Sequence, residues 1–572
     1  MGTSRYIICA AVVLVGHPAW AASDVLVVPG LSGRAGGRLI YGERSEPKTL
    51  NPIFATDTPS RNIINRLMAD LVHINRGSLK TEPALAKSCE VSRDGLRYEV
   101  ELRQGLKFSD GHPFDADDVV FTFQVYLDEK VNSPQRSFWV LDGKPVVVRK
   151  TSSHHVSFEL PRVNAVGDRI FDGVPMLPRH LLERPWREGK LKDIWGLHTP
   201  PAEIAGLGPF RLKEFVPGQR IVLERNPHYW KRDAGGTQLP YLAEMAYTFS
   251  SGEDMQVMRF QAGESDVISR ITPKDYAVLQ RHQASRGYTL VDAGRSLEYG
   301  FLLFNLNDSV GAQAVWRRLA FRQAIAAAVD RDAIVRLVYR GFADPLASAV
   351  AAGNQAWIAT KLARPLRSID RARELLAADG FQWSHDGALQ DADGKNVRFS
   401  IAVTSSNPER VQIATLIQAD LKPLGIQVDV VTLEFLSLIQ RVTRSHDYEA
   451  CIFAISSGDA DPNADLTVWA STGSSHLWHL GQTRPATRWE AEIDGLMAKQ
   501  SVTREYDKRK QMFDRVQEIA AENLPLIPLV SPHVLAGAKK NLGNFRPAVL
   551  EPYALWNVEE LYWQSPSNGG RP

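Results

Sequence analysis

The chain is 572 residues long, which is enough for several domains with large buried cores. Its Lys and Arg residues number 67 and its Asp and Glu residues 65, so the formal net charge is only +2. A charge so close to balance gives no strong basic field. We therefore expect no nucleic-acid partner and no attraction to acidic lipid.

The first residues have the pattern of a signal peptide. Arg5 precedes the apolar run 6–15, and Ala19 and Ala21 are small residues at the two positions that a signal peptidase reads. The run is too short to span a bilayer, which takes about 20 residues. We predict a signal peptide at 1–21, cleaved after Ala21, and export of a soluble protein to the periplasm.

The cysteines leave the disulfide state open. Cys9 lies inside the apolar run and not after it, so we expect no lipid anchor there. Removal of the signal peptide leaves Cys89 and Cys451, which could pair in an oxidising compartment. Cys89 stands at a strand start and Cys451 in an apolar strand-like run, which favours two separately buried thiols over a bridge.

Strands and helices alternate along the chain. Residues 97–102 alternate apolar and charged side chains, which predicts a strand buried on one face. Asp115 and Asp118, three residues apart, predict the capped start of a helix over 117–123. Helix alternating with strand in the second half predicts an α/β lobe. Further helices are predicted at 62–72, 255–262, 321–329, 368–379 and 413–424, and further strands at 211–213, 221–223, 245–249, 397–403 and 427–432.

Three segments, 83–123, 206–230 and 239–267, carry motifs in a fixed order. The first contains Leu85, Ala86, Asp94, Gly95, Leu102, Arg103, Gly105, Phe108, Ser109, Asp110, Gly111, Asp118 and Val119. In these motifs the chain resembles the family 5 extracellular solute-binding proteins, the peptide-type receptors of ABC importers. One departure is Cys89, where that family usually has tryptophan, and it concerns packing more than function.

The resemblance covers residues 38–563 and implies an α/β fold with two lobes around a cleft. This is the periplasmic-binding-protein fold of the cluster C type, with an extra subdomain in the first lobe and a hinge where the chain crosses near Ser296 and Leu529. The segment after the signal peptide is Gly-rich and aperiodic, so we expect it to be mobile. The expected division is signal peptide 1–21, flexible leader 22–37, lobe I 38–70, extra subdomain 71–204, lobe I 205–295, lobe II 296–528, hinge return and C-terminal segment of lobe I 529–563, and tail 564–572.

The segment 453–469 carries the best candidate site, because a strand ending in small polar and acidic residues delivers side chains to a cleft. In peptide-binding members of the family, an aspartate here pairs with the ligand ammonium, three residues before an acidic residue that precedes proline. Asp461 and Pro462 match the acidic–proline pair, but Gly458 stands at the place of the aspartate. Asp459, one place on, is the candidate ammonium ligand, and a turn or helix-cap role is the alternative.

Other ligand contacts are predicted beside it. Ser456 and Ser457 end the same strand. Some dipeptide receptors of the family have an arginine for the ligand carboxylate where this chain has Thr404 and Ser405. The absence of that anchor favours longer peptides or a ligand without a free carboxylate. Trp469 could pack on an apolar ligand side chain or in the core.

Metal and catalytic sites fit the sequence less well. The acidic spacing from Asp459 to Asp465 imitates the start of a calcium loop, but Ala464 and Ala470 stand where glycine and glutamate are needed. The chain has no G-x-S-x-G, H-E-x-x-H, P-loop or paired-cysteine motif. We expect no metal, no cofactor and no catalytic residue.

The sequence thus predicts a monomeric periplasmic receptor that captures peptides or peptide-like compounds between its lobes and delivers them to an ABC permease. The nearest alternative is a receptor of the same family for a metal chelate, of nickel or haem type, or for another non-peptide solute. A chelate would be held by His476 and His479, joined by His228 or His533. A receptor that signals or chaperones without import is a further alternative. A hydrolytic enzyme is the most remote.

Overall fold

The computed structural model describes residues 24–250, 252–307 and 314–564. Three main sheets organise these residues, and we call them sheets A, B and C. The predicted signal peptide, 1–21, and residues 565–572 of the predicted tail lie outside the described residues.

Sheet A has eight strands that come from distant parts of the chain. Near one edge of the sheet, Val530–Lys539 pairs antiparallel with Val267–Ser269 on one side and with the edge strand Tyr288–Arg295 on the other. The strands in spatial order are Phe210–Val216, Arg220–Arg225, Glu244–Phe249, Arg38–Glu43, Val267–Ser269, Val530–Lys539 and Tyr288–Arg295, with Ala343–Pro345 also paired to Val530–Lys539.

Sheet B has five strands and is covered on both faces. On the strand Glu298–Phe304, Leu302 and Phe304 pack into one apolar cluster, whereas Tyr299 and Phe301 pack into another. Burial on both faces explains why this strand is apolar almost throughout. In spatial order the strands are Gln427–Leu433, Arg398–Thr404, Ala450–Ser456, Glu298–Phe304 and Leu526–Pro528.

Sheet C has four antiparallel strands, and a capped helix lies between the second and third of them along the chain. The carboxylate of Asp115 accepts the amide of Asp117 at 2.8 Å, and the carboxylate of Asp118 accepts the amide of Asp115 at 3.1 Å. The predicted cap is thereby confirmed, and its helix is Ala116–Leu127. The strands in spatial order are Ala86–Val91, Arg97–Leu102, His155–Glu159 and Val147–Ser152.

Helices and short hairpins surround the sheets. None of the helices within the described ranges combines the length and hydrophobicity needed to cross a bilayer. The other long helices are Thr58–Leu67, Arg179–Arg187, Glu253–Gln261, Pro273–Arg286, Leu319–Ala328, Ile369–Ala378, Pro408–Leu421, Arg488–Gln500 and Tyr506–Asn523. Two-stranded pairs are Val72–Ile74 with Thr81–Pro83, Val140–Leu141 with Lys144–Pro145, Gln382–Trp383 with Leu389–Gln390, and Leu542–Gly543 with Tyr562–Trp563.

The segment expected to be a mobile leader has regular structure. Leu26–Val28 forms a parallel pair with Lys231–Asp233, and Leu31 is buried in the core that underlies sheets A and C. The rest of 24–37 has no helix or strand, and the flexibility of the leader stays a prediction. Its three-residue strand is too short to show a period in the sequence.

The two cysteines within the described residues are free thiols, as predicted. Cys451 is buried in sheet B, and Cys89 is half-buried in sheet C. Burial raises the pKa of Cys89 to about 12 and the pKa of Cys451 well above its ordinary value. Both thiols stay protonated near neutral pH.

Candidate functional site

Sheets A and B are joined at two crossings that lie side by side. One crossing is residues 296–297, between Tyr288–Arg295 and Glu298–Phe304, and the other is Leu529. The Ser531 hydroxyl donates to the carbonyl of Glu298 at 2.6 Å, and the amide of Leu529 donates to the carbonyl of Gly300 at 2.9 Å. Two short adjacent connections of this kind form a hinge.

Four side chains from both sheets and the C-terminal segment meet beside the hinge. We call Arg270, Glu298, Ser456 and Tyr553 the junction cluster. Arg270 Nη2 lies 3.6 Å from Glu298 Oε2, and the Arg270 guanidinium carbon lies 5.6 Å from the centroid of the Tyr553 ring. Ser456 is the register partner of Glu298 across sheet B. The Arg270 side chain is 53% exposed, so its charge is open to solvent.

The backbone at the junction cluster is unusual. Arg270 has φ 54° and Tyr553 has φ 49°, which is the left-handed region that non-glycine residues seldom adopt. Such conformations persist where the surrounding structure imposes them, and they cluster at binding sites. Burial raises the pKa of Tyr553, nearby Glu551 and Glu298 add to the rise, and Arg270 and Ser456 oppose it. The phenol therefore stays protonated near neutral pH and can donate a hydrogen bond.

Asp459, the predicted ammonium ligand, is paired with Arg169. Its Oδ2 accepts from Arg169 Nε at 2.7 Å, and its Oδ1 accepts from Arg169 Nη2 and from the amide of Ala460. Arg169 belongs to the short 3₁₀ helix Gly167–Phe171 and also donates to the carbonyl of Leu79 at 2.9 Å. The carboxylate therefore has an ionic partner from the chain itself, which neither sequence interpretation anticipated.

The predicted serines and Thr404 differ in exposure. Ser456 and Ser405 are exposed at the carboxyl ends of their strands or just beyond. Ser457 is buried, and its hydroxyl donates to the two oxygens of Asp465, at 2.8 and 2.7 Å. Thr404 is buried, and its hydroxyl oxygen lies 3.0 Å from the Ser406 hydroxyl oxygen. Of these four predicted contacts, Ser456 and Ser405 are the two that are exposed in this conformation.

Trp469 lies in the hydrophobic core. Its side chain is 1% exposed, and its ring contacts Trp478 and Phe513 at centroid distances of 6.5 and 6.4 Å. The sequence left open whether Trp469 contacts the ligand or packs in the core, and in the structure its side chain lies in the core.

Asp461, in the acidic–proline pair, is engaged in a buried ion pair. Its oxygens accept from Arg509 Nη1 at 2.8 Å and Nη2 at 2.6 Å, and both side chains are less than 10% exposed. Asp461 also accepts the amide of Asn463 at 3.0 Å. The pair fixes the loop that carries Asp459.

Asp465 supplies a pH-dependent contribution to stability. Burial raises the pKa of its carboxyl to about 6, and the Ser457 hydrogen bond opposes the rise. Because the pKa in the unfolded chain is about 3.9, the stabilising contribution is full below pH ~4 and is lost as the pH rises through 6. Asp465→Asn tests this pH dependence. In the wild type, Asp465 should lower the free energy of unfolding by about 1–3 kcal/mol between pH 4 and pH 8, and the variant should lack that decline in urea unfolding. Asp447→Asn, at a more exposed carboxylate, is the control and should leave the profile unchanged. An identical decline in both variants would contradict the assignment.

One group of residues has metal-ligand geometry but is filled by protein donors. Ligand atoms of Asp70, His73 and Asp172 lie within 4.8 Å of one another. Arg76 donates to both oxygens of Asp172, at 2.8 and 3.0 Å, and the amide of Gly173 donates to Asp70 at 2.9 Å. These donors occupy the oxygens that a cation would need.

The histidines proposed for a metal chelate have other partners. His476 is fully buried, with Nδ1 3.0 Å from the carbonyl of Val468 and Nε2 3.2 Å from Glu490. His533 has one ring nitrogen 2.9 Å from Asp292 and the other 3.0 Å from Asp344. His479 is buried as well. His476, His479 and His533 are therefore buried or engaged, and of the four histidines His228 is the exposed one.

Two sheets with a hinge between them define a two-lobed binding-protein fold, and solved structures agree. The Bacillus subtilis oligopeptide-binding protein AppA in complex with a nonapeptide has a TM-score of 0.72 and 24% identity, covering 93% of this chain and 100% of that chain. NikA from Brucella suis in complex with Fe(III)-EDTA has a TM-score of 0.77 and 22% identity, covering 92% and 100%. The predicted two-lobed fold is confirmed.

Relatives in sequence give the family. The profile of bacterial extracellular solute-binding proteins, family 5 Middle, matches residues 80–476. A probable ABC transporter-binding protein of Deinococcus radiodurans is 25% identical over 85% of this chain and 85% of its own. The oligopeptide-binding protein AppA of Bacillus subtilis is 24% identical over 92% of each chain. The chain belongs to the family 5 extracellular solute-binding proteins, which are receptors of ABC transporters and not enzymes, as the sequence predicted.

Arg169, Arg270, Glu298 and Tyr553 were missed by the sequence analysis. Arg270 directly follows a buried strand, which is the same pattern that pointed to Asp459. The other three had no local signal, because their importance depends on partners far along the chain. The lobe borders and the six predicted ligand contacts stay predictions.

Proposed function

We propose that this receptor captures peptides or peptide-like compounds between its lobes and delivers them to the permease of an ABC importer. The junction cluster is the observation that carries the proposal. It offers a cation, a carboxylate and two hydroxyls, drawn from both sheets and the C-terminal segment, beside the hinge. A solute contacted from both sides would stabilise the closed arrangement.

Peptides suit this arrangement better than metal chelates do. A positively charged group, a negatively charged group and two hydroxyls can form hydrogen bonds with the amides and carbonyls of an extended peptide backbone, whatever the side chains of the peptide. Of the six sequence-predicted contacts, Ser405 and Ser456 are exposed and are the first that we would assign to the ligand. The Bacillus subtilis relative is named for oligopeptides, and its structure holds a nonapeptide. The NikA likeness leaves a metal-chelate receptor as the alternative.

Export and assembly form part of the same proposal. We keep cleavage after Ala21, a periplasmic location and a monomeric receptor as expectations. Mass spectrometry of the mature N-terminus and native mass spectrometry of the purified protein test them.

The ligand proposal predicts a loss of affinity on changing Arg270. We expect native protein to co-purify with peptides identifiable by mass spectrometry, and Arg270→Gln to weaken peptide binding about tenfold or more in calorimetry, the scale of a hydrogen bond to a charged group. Arg286→Gln, at the exposed end of the helix Pro273–Arg286, is the matched control and should bind like wild type. A co-purified metal chelate, or equal affinity in both variants, would contradict the proposal.

A further inference from the structure

The ion pair between Arg169 and Asp459 joins two parts of the chain that are 290 residues apart. Arg169 lies in the segment that follows sheet C, and Asp459 lies in the loop that follows the sheet B strand Ala450–Ser456. Both side chains are 18% exposed, so the pair is partly shielded from water. Two hydrogen bonds in fork geometry give an arginine–carboxylate pair more specificity and strength than a single ammonium contact.

The carboxylates that act on Arg169 have guanidinium partners within the chain. Asp461 and Asp172 also stabilise the charged form of Arg169. Asp461 is paired with Arg509, and Asp172 is paired with Arg76. Each of the carboxylates of Asp459, Asp461 and Asp172 is therefore already paired with a guanidinium group. An incoming ammonium would have to displace a guanidinium or lie beside one, where repulsion in a shielded site disfavours it.

Apolar residues flank the pair. Ala460, next to Asp459, and Leu79, whose carbonyl holds Arg169, belong to a cluster with Ile74, Leu297 and Leu550. Such surroundings favour an uncharged group over a charged one, because an ion loses its hydration there without gaining a partner. The paired charges and the apolar packing thus favour the same chemistry.

From this geometry we infer that Arg169 determines specificity by occupying the carboxylate that would otherwise bind a ligand ammonium. The solute presents an uncharged group at this end, as an N-acylated peptide does, and not a free α-ammonium. The inference rests on the proposed peptide function and deepens it by naming the chemistry of one end of the ligand.

The test compares two peptide pools that differ only at the N-terminus. Pentapeptides of mixed sequence are prepared with a free amino group or with an N-acetyl group, and binding is measured by calorimetry and competition. Wild-type protein is expected to favour the acetylated pool about tenfold or more. Arg169→Gln releases Asp459, so its affinity for the free-amino pool should rise by a similar factor. Arg169→Lys keeps the charge and should keep the wild-type preference.

Controls separate the possible failures. Arg149→Gln, which removes an exposed ion pair with Glu159 on sheet C, should match wild type for both pools. Equal or tighter binding of the free-amino pool by wild type would overturn the inference and leave the peptide function standing. Binding of neither pool would overturn the peptide function and the inference with it. If Arg169→Gln does not unfold cooperatively, the inference is judged from the preference of the wild type and of Arg169→Lys between the two peptide pools.

Discussion

Replacing Arg509 with methionine should lower the free energy of unfolding by about 3–5 kcal/mol, the cost of leaving one buried charge of an ion pair uncompensated. The change removes both hydrogen bonds to Asp461 and both to Gln500, and it leaves without its ionic partner a carboxylate that is less than 10% exposed. It also removes a guanidinium that lies 5.0 Å from the Trp357 ring centroid. Urea unfolding at neutral pH measures the difference.

The same helix supplies the control for Arg509. Arg515 forms ion pairs with Glu492 and Glu522, and all three side chains are more than a third exposed. Exposed pairs contribute about 0–1 kcal/mol, so Arg515→Met should stay within that range. Equal effects of the two substitutions would show that the Asp461 pair is not shielded as described.

Replacing Trp469 with alanine should destabilise the protein by about 3–5 kcal/mol, as large-to-small changes of buried aromatic residues do. The change opens a cavity between Trp478 and Phe513, and its effect should appear in thermal and urea unfolding. Peptide affinity, measured where the variant is fully folded, should equal that of wild type because the ring does not face solvent.

A surface aromatic calibrates that result. Phe138 is 71% exposed, so Phe138→Ala should change stability by no more than about 0.5 kcal/mol. If Trp469→Ala lost peptide affinity while keeping wild-type stability, the ligand role left open by the sequence would replace the core role.

The fold was predictable where local pattern and structure share one cause. The strand Arg97–Leu102 has the predicted bounds, because burial of one face produces the alternation. The helix predicted at 62–72 is instead Thr58–Leu67, and Val72–Ile74 is a strand. Apolar residues continue through both elements because both are buried. The stronger signal was Asp57, which caps the helix by accepting the amide of Ser60 at 2.9 Å.

The candidate site was less predictable than the fold. The resemblance led to the loop that holds Asp459, but the partner of that carboxylate comes from a segment with no motif of its own. Sequence spacing carries no information about contacts between residues so far apart. The role of Trp469 could not be decided from the sequence for a related reason, since an aromatic residue has the same sequence pattern in a core and in a cleft.

The position of Val530–Lys539 in sheet A has a consequence for the order of folding. Until this strand is synthesised, Val267–Ser269 and Tyr288–Arg295 lack the partner that lies between them. Val267–Ser269 therefore remains an open edge on the ribosome, Tyr288–Arg295 is not yet joined to the sheet, and pairings so distant in sequence form slowly. A nascent chain that cannot complete sheet A stays accessible to chaperones until synthesis is nearly finished.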